Sequence, residues 1–272
     1  MAVSDFAQEL VRVAREQLAE FGGLDEGSDK LSRQIRHYWE DIGLRFPDGP
    51  NEGGVEVPWS AVFVSWCMMT AGATREEFKF SSGHWEYVKA AIRNADKGTG
   101  VFRAVPIDRA PVEVGDLIHV NRDVREGVPG TTTYDQARTT TTGYSSHCDI
   151  VIEVERGVAK VIGGNLHDTR SLDTHDLTSA GFVKQQSRNP YISVVKNLKG
   201  ATAQEDDVMA TTIKIDEPGE NQLWLYAGGQ RRPFKDPREI TELREKKLLD
   251  DKETSLSRAV FNNIPIMPGA SS

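Results

Sequence analysis

The sequence predicts an α+β fold, with helices in the first third of the chain and an antiparallel sheet after them. Up to about Asn94 the apolar residues recur at helical spacing, and residues 4–21 form the clearest amphipathic stripe. From Phe102 the pattern changes to short β-like runs with turn residues between them. Helices followed by a segregated antiparallel sheet are typical of the α+β class.

Four helices are predicted before the sheet. They cover residues 4–21, residues 30–43, a stretch from Pro58 to about Ala71, and a stretch that starts within residues 80–85 and ends near Asn94. A loop rich in glycine and proline, residues 46–54, leads to the third helix.

The predicted sheet consists of short strands. They cover residues 115–120, 147–154, 158–163 and 191–195. The second and third strands are joined by Glu155-Arg156-Gly157, so we expect an antiparallel hairpin there. The threonine-rich segment 124–146 is long for a connection within a compact domain, and both a mobile lid and surface disorder stay open for it.

The chain is predicted to divide near residue 200. Residues 1–199 form the main domain, and a polar stretch, 200–207, leads into a C-terminal extension of residues 200–272. Within the extension we expect strands at 212–215 and 222–226 and a charged, mostly helical stretch at 236–261. The extension is either packed on the main domain or a docking tail.

Composition limits the classes of function. The chain has 272 residues, which is long enough for a sizeable core. Its net charge of -8 weighs against nucleic acid as a partner. No apolar run approaches the roughly 20 residues of a membrane span, and the first residues do not resemble a signal peptide. Cys67 and Cys148 are too few for a disulfide framework. We expect a protein that is cytoplasmic when made, with reduced thiols and no cofactor.

The stretch 57–67 places a hydroxyl at the start of a predicted buried helix. Pro58 suits a helix entry because its missing N–H would be unpaired there anyway. Ser60 should therefore lie in the first turn, where free N–H groups and the helix dipole stabilise an anion. The simpler interpretation is that Ser60 only caps the helix.

His147 and Asn165 are the predicted partners of Ser60. His147 begins one strand of the hairpin and Asn165 closes the next, so antiparallel pairing should make them neighbours. A nucleophile, a base and a polar residue that orients the base form the constellation of acyl transfer. In this scheme Asn165 fixes the tautomer of His147, which removes the proton from Ser60.

Other assignments carry less weight. Cys67 lies about two turns beyond Ser60 and should be a buried structural thiol, and Cys148 should point to the sheet face opposite His147. No zinc-type spacing is present, so we expect no metal, although a ligand set can be drawn from residues 147–149 together with His167 and Asp168.

Four residues are candidates for substrate binding: Trp59, His84, Arg122 and Asp149. His84 heads a helix with Trp85 and Tyr87, and these residues either line a groove or pack in the core. Arg122 follows a strand and could grip a substrate carboxylate.

Several motifs together resemble the NlpC/P60 and CHAP superfamily of papain-like cell-wall amidases and endopeptidases, and most closely its DUF2272 branch. These motifs are Pro58-Trp59-Ser60-Ala61-Val62-Phe63-Val64-Ser65-Trp66, Gly115-Asp116-Leu117-Ile118, Ser146-His147-Cys148-Asp149-Ile150-Val151 and Ile162-Gly163-Gly164-Asn165. The resemblance covers roughly residues 55–170. It implies a papain-like core, peptidoglycan peptides as substrate, Ser60 as nucleophile, His147 as base and Asn165 as orienting residue.

The serine is a departure, because NlpC/P60 and CHAP enzymes carry cysteine at this position. A hydroxyl needs full general-base help where a thiol is already partly ionised. Three explanations stay open: serine chemistry, a binding module for peptidoglycan peptides without turnover, and a Cys→Ser change that inactivates a cysteine amidase.

The resemblance also implies a route to the wall. Without a signal peptide, a wall-degrading domain would be delivered by phage lysis or a contractile secretion machine, with residues 200–272 as the docking part. A secretion-machine component and an immunity protein are then the expected protein partners.

Overall fold

The computed structural model describes residues 3–25, 28–47, 58–166, 169–200 and, in the C-terminal part, 210–215, 224–227, 230–234, 240–241 and 249–256. The chain forms two compact units, Met1–Ala201 and Thr202–Ser272. The predicted loop 46–54 and the polar stretch 200–207 lie almost wholly outside the described residues.

In the first unit, helices pack against an antiparallel sheet whose strands do not follow their order in the chain. The helices are α1 (Asp5–Phe21), α2 (Asp29–Asp41), α3 (Ser60–Thr70), α4 (His84–Lys97) and α5 (Tyr134–Thr139). The strands are β1 (Phe102–Val105), β2 (Leu117–Asn121), β3 (Ser146–Glu155), β4 (Val158–Leu166), β5 (Thr169–Asp176) and β6 (Tyr191–Asn197). They form a six-stranded sheet in the order β1-β6-β2-β3-β4-β5. The predicted α+β class is confirmed, and this layout is consistent with a papain-like core.

The third helix lies at the centre of the unit. It packs against α1, α2, β3 and β4, and it is buried around most of its circumference rather than along one apolar face. Val64 and Ser65 are both fully buried. Ser65 satisfies its hydroxyl by donating to the carbonyl of Ser81 and accepting from its N–H, both at 3.0 Å.

The threonine-rich segment 124–146 carries a short helix. It contains α5, whose start is fixed by a capping box in which the Thr133 and Gln136 side chains bond each other's backbone N–H. Such reciprocal bonds satisfy donors that a helix start leaves unpaired.

A buried ion pair fixes the turn before β2. Gly115 has a φ of 91°, and a Cβ there would lie 2.6 Å from the Cβ of Ala7, so only glycine fits. Asp116 is 1% exposed and accepts from Lys196 Nζ at 2.5 Å and from the N–H of Asn197 at 2.9 Å. The Gly-Asp pair of the motif therefore ties β2 to β6.

The second unit contains β7 (Ala210–Ile215), β8 (Trp224–Ala227), β9 (Gln230–Pro233) and β10 (Leu249–Leu256), in the order β10-β7-β8-β9. The prediction of a mostly helical stretch at 236–261 is wrong over residues 249–256, which pair with β7 in parallel. Tertiary pairing overrides the weak helical pattern of this charged stretch. Within the described part of the chain, no helix combines the length and apolar character that a membrane span requires.

Candidate functional site

Ser60 is the first residue of the central helix, as predicted. Trp59 occupies the capping position, and no side chain caps the helix start. The Ser60 hydroxyl, in a residue that is 2% exposed, instead lies 2.7 Å from Nε2 of His84. The simple capping role is therefore excluded, and Ser60 is paired with an imidazole at the N-terminus of α3.

His84 reaches Ser60 from the first turn of α4. Its other ring nitrogen, Nδ1, is hydrogen-bonded to the hydroxyl of Tyr87, one turn further along the same helix. Burial, and then the positive charge that His147 would carry, keep the pKa of His84 well below its ordinary value. His84 is therefore neutral near pH 7, with one nitrogen as donor and the other as acceptor.

His147 lies beside this pair without bonding the serine. Its ring centroid is 4.9 Å from that of His84, and its Nε2 donates to Oδ1 of Asp149 at 2.9 Å. Among the described residues, none hydrogen-bonds its buried Nδ1. The hydrogen bond expected between Ser60 and His147 is replaced by the one to His84, because α4 brings a second imidazole to the same place.

Asp149 joins two histidines inside the protein. Its second carboxylate oxygen accepts from Nε2 of His175 at 3.1 Å, and His175 Nδ1 accepts from the hydroxyl of Tyr191 at 2.7 Å. Burial by itself would raise the pKa of Asp149, but the charge of His147 and the hydrogen bonds from both histidines outweigh it and lower this pKa. Asp149, expected to touch substrate, is thus an ionised carboxylate with both oxygens engaged.

Asn165 was predicted to orient His147. Its backbone lies in β4, and the antiparallel register sets Ile150 opposite Ile162, so the end of β4 runs beside the start of β3. The side chain of Asn165 is outside the described part of the chain. In the described part, the group that orients His147 is Asp149.

The other two candidates for substrate binding differ in exposure. Trp59 is 1% exposed and packs edge-on against Phe63, with Gly164 so close that a Cβ there would lie 2.9 Å from the indole. This close approach explains one glycine of the Gly163-Gly164 pair. Arg122 is half-buried just after β2 and is near enough to contribute to the lowered pKa of His84.

The two thiols are buried and unsuited to catalysis. Cys67 and Cys148 are each 0% exposed and not in disulfides. Burial raises the pKa of Cys148 well above its ordinary value, and a protonated thiol is a weak nucleophile. Strand alternation turns Cys148 toward Tyr87 on the helix side, away from the Asp149–His175 pair.

No group of three histidine, cysteine or acidic side chains is placed to hold a metal ion in the part of the chain that the structure describes. His167 and Asp168, the remaining members of the ligand set considered above, lie outside that part.

The sequence analysis missed several residues of the histidine cluster, by which we mean His84, His119, His147 and His175 with the side chains that they contact. His175 and Tyr191 come from distant strands, and neither stands in a motif. His119 of β2 is also fully buried, with Nδ1 3.0 Å from the hydroxyl of Ser193. The one available signal was the presence of His119 and His147 in predicted strands, which does not reveal what they meet, and His175 lies in a strand that the sequence analysis did not predict.

Fold and site together define an α+β protein, consistent with a papain-like core, that has a serine at the N-terminus of its central helix and buried histidines beside it. Residues 13–214 match the family described as "Uncharacterized protein conserved in bacteria (DUF2272)". Because this match spans more than half of the chain, the protein belongs to the DUF2272 family. Neither the curated proteins nor the solved structures contain a match.

Proposed function

We propose that this protein is a serine hydrolase that cleaves an amide bond in peptidoglycan peptides. The observation that carries the proposal is the hydroxyl of Ser60 at a helix N-terminus, 2.7 Å from the imidazole of His84. The N–H groups at the helix start favour the negative charge that develops during acyl transfer. The substrate class comes from the resemblance of the motifs to cell-wall amidases.

We assign the role of general base to His147 rather than to His84. A base that takes the proton of Ser60 becomes a cation, and it needs an anion behind it. His147 is backed by ionised Asp149. His84 is backed by the neutral hydroxyl of Tyr87, whose pKa burial raises well above its ordinary value.

The free nitrogen of His147 is the right one for this role. Because Nε2 donates to Asp149, a neutral ring carries its lone pair on Nδ1, the nitrogen that has no partner among the described residues.

His84 takes the role of hydrogen-bond donor to the nucleophile. If Tyr87 donates to Nδ1, then Nε2 carries the proton and donates to the Ser60 oxygen. This bond leaves the hydroxyl proton of Ser60 for His147 and stabilises charge on the oxygen during attack. The two histidines thus divide the work of activating one serine.

The test is hydrolysis of purified peptidoglycan by the full chain, with released fragments analysed by mass spectrometry for new amino and carboxyl termini. We expect fragments from the wild-type protein and from Ser32→Ala, a matched change at an exposed serine. Ser60→Ala should release none. The absence of new termini with both the wild-type protein and Ser60→Cys would contradict the proposal.

A binding module without turnover is the second candidate, and burial of the site favours it. Ser60, His84 and His147 are 2%, 5% and 2% exposed, so a substrate needs a local opening to reach them. This candidate predicts saturable binding of peptidoglycan fragments by the wild-type protein, equal binding by Ser60→Ala, and no product from either.

A further inference from the structure

A groove of about 550 Å³ lies beside the candidate site and has no role so far. It is lined by residues 131–132, Gln136 and residues 139–144, from the threonine-rich segment. Its size is within the range of small-molecule sites. The capping box at the start of α5 holds this wall in a defined shape, so a ligand would meet a largely preformed surface.

The chemistry of the lining is polar and uncharged. None of the residues around the groove carries a charge, and most are threonines, which offer a hydroxyl and a methyl group together. The Thr139 hydroxyl donates to the carbonyl of Asp135, which leaves its oxygen able to accept, whereas the Thr140 hydroxyl donates to the carbonyl of Thr142 and accepts from the N–H of Thr142. Thr131 and Thr141 are exposed and keep both donor and acceptor capacity.

The inner end of the groove adjoins the histidine cluster. A Cβ on Gly143 would lie 2.9 Å from the indole nitrogen of Trp85, the residue after His84. The ring of Tyr144 lies 5.9 Å from that of His119, centroid to centroid. Among the described residues, neither the Tyr144 hydroxyl nor His119 Nε2 has a hydrogen-bond partner although both are buried. Buried polar atoms of this kind call for a ligand or solvent partner.

We infer that this threonine groove binds the N-acetylated sugar residues of the peptidoglycan glycan strand, an inference that rests on the proposed function. Sugar hydroxyls and acetamido groups both donate and accept, as do threonine hydroxyls. The methyl groups and the Tyr144 ring suit the apolar faces of a sugar ring. Stem peptides carry carboxylates, which would require cations that the lining does not offer.

The experiment is a titration of the full chain with an uncharged probe, the β-1,4-linked tetramer of N-acetylglucosamine, followed by NMR. The double variant Thr131→Val, Thr141→Val removes two free hydroxyls at nearly constant shape. Because each neutral hydrogen bond contributes modestly, the Kd should rise roughly tenfold. Tyr144→Phe should weaken binding severalfold, and Thr99→Val, an exposed threonine outside the groove, should bind as the wild-type protein does.

Three results would overturn the inference: no saturable binding of the tetramer, equal affinity in the double variant and the wild-type protein, or binding of an acidic stem tripeptide in place of the sugar. Ser60→Ala separates this inference from the proposed function, because it should bind the tetramer normally. Sugar binding without hydrolysis by the wild-type protein would contradict only the proposed hydrolase function. Hydrolysis without sugar binding would contradict only the inference that the groove binds sugars.

Discussion

The imidazole rings of His84 and His147 lie 4.9 Å apart at an angle of 57°, although 62 residues separate them in the sequence. The first comes from the start of α4 and the second from the start of β3. Burial, and then a charge on His147, lower the pKa of His84 well below its ordinary value, so the His84 ring is neutral. Ser60 is hydrogen-bonded to this neutral ring.

Asp149→Asn should abolish most activity while leaving the fold intact. The amide cannot stabilise a protonated His147, and in a comparable triad this loss lowers kcat by about 10⁴-fold. The measurement is kcat on peptidoglycan across pH 6–9, together with circular dichroism. Asp173→Asn, an exposed carboxylate on β5, is the matched control. A kcat close to that of the wild-type protein at every pH would show that Asp149 has only a structural role.

Tyr87→Phe should lower kcat without a matching change in KM. The variant leaves Nδ1 of His84 buried and unpaired, which costs roughly 1–3 kcal/mol, or about five- to 150-fold in rate if it falls on the transition state. Tyr134→Phe loses a comparable bond, to the carbonyl of Ala104 at 2.9 Å, away from the site. Equal effects of the two variants on kcat would contradict the donor role of His84.

The first unit should lose stability as the pH falls below the ordinary range of histidine. Burial, and then His147, lower the pKa of His119 to about 3, and burial lowers that of His84. Below pH ~6.5 these two histidines bind protons in the unfolded chain but stay neutral in the folded protein, so the free energy of unfolding falls. Asp116 acts in the opposite sense, because burial raises its pKa to about 6 and the folded protein then gains a proton first.

Between pH 7.5 and 5.5 His119 should lower the free energy of unfolding by about 1.4 kcal/mol, His84 should lower it further, and Asp116 should restore somewhat less than 1 kcal/mol. Urea unfolding at the two pH values, followed by tryptophan fluorescence, measures the net loss. His119→Asn, which keeps a partner for Ser193, should reduce the loss by about 1.4 kcal/mol. An unchanged pH dependence in this variant would mean that His119 does not resist protonation.

Neither cysteine should react in the folded protein. Cys67 and Cys148 are both fully buried, and burial keeps the Cys148 thiol protonated by raising its pKa. Treatment with iodoacetamide at pH 8 should leave both thiols unmodified by mass spectrometry and the activity unchanged, whereas both react in urea. Rapid alkylation of either thiol in the folded protein would contradict this prediction.

The order of the four long helices and of β2, β3, β4 and β6 could be predicted from the sequence because it depends on local signals, whereas β1, α5 and β5 were not predicted. The start of α3 at Ser60 follows from the entry signal of Pro58, and the hairpin of β3 and β4 follows from a short turn between two apolar runs. The stretch 249–256 could not be predicted, since its strand depends on pairing with β7 rather than on its own pattern.

By itself the sequence determined that Ser60 lies at the N-terminus of a buried helix and that His147 begins a strand of the sheet. The tertiary structure decided which side chains meet: His84 with Ser60, and Asp149 with His147 and His175. The reason is physical. Periodicity fixes the face on which a residue lies, but a hydrogen bond of 2.7 Å between residues of α3 and α4 depends on how those helices pack, which no local pattern specifies.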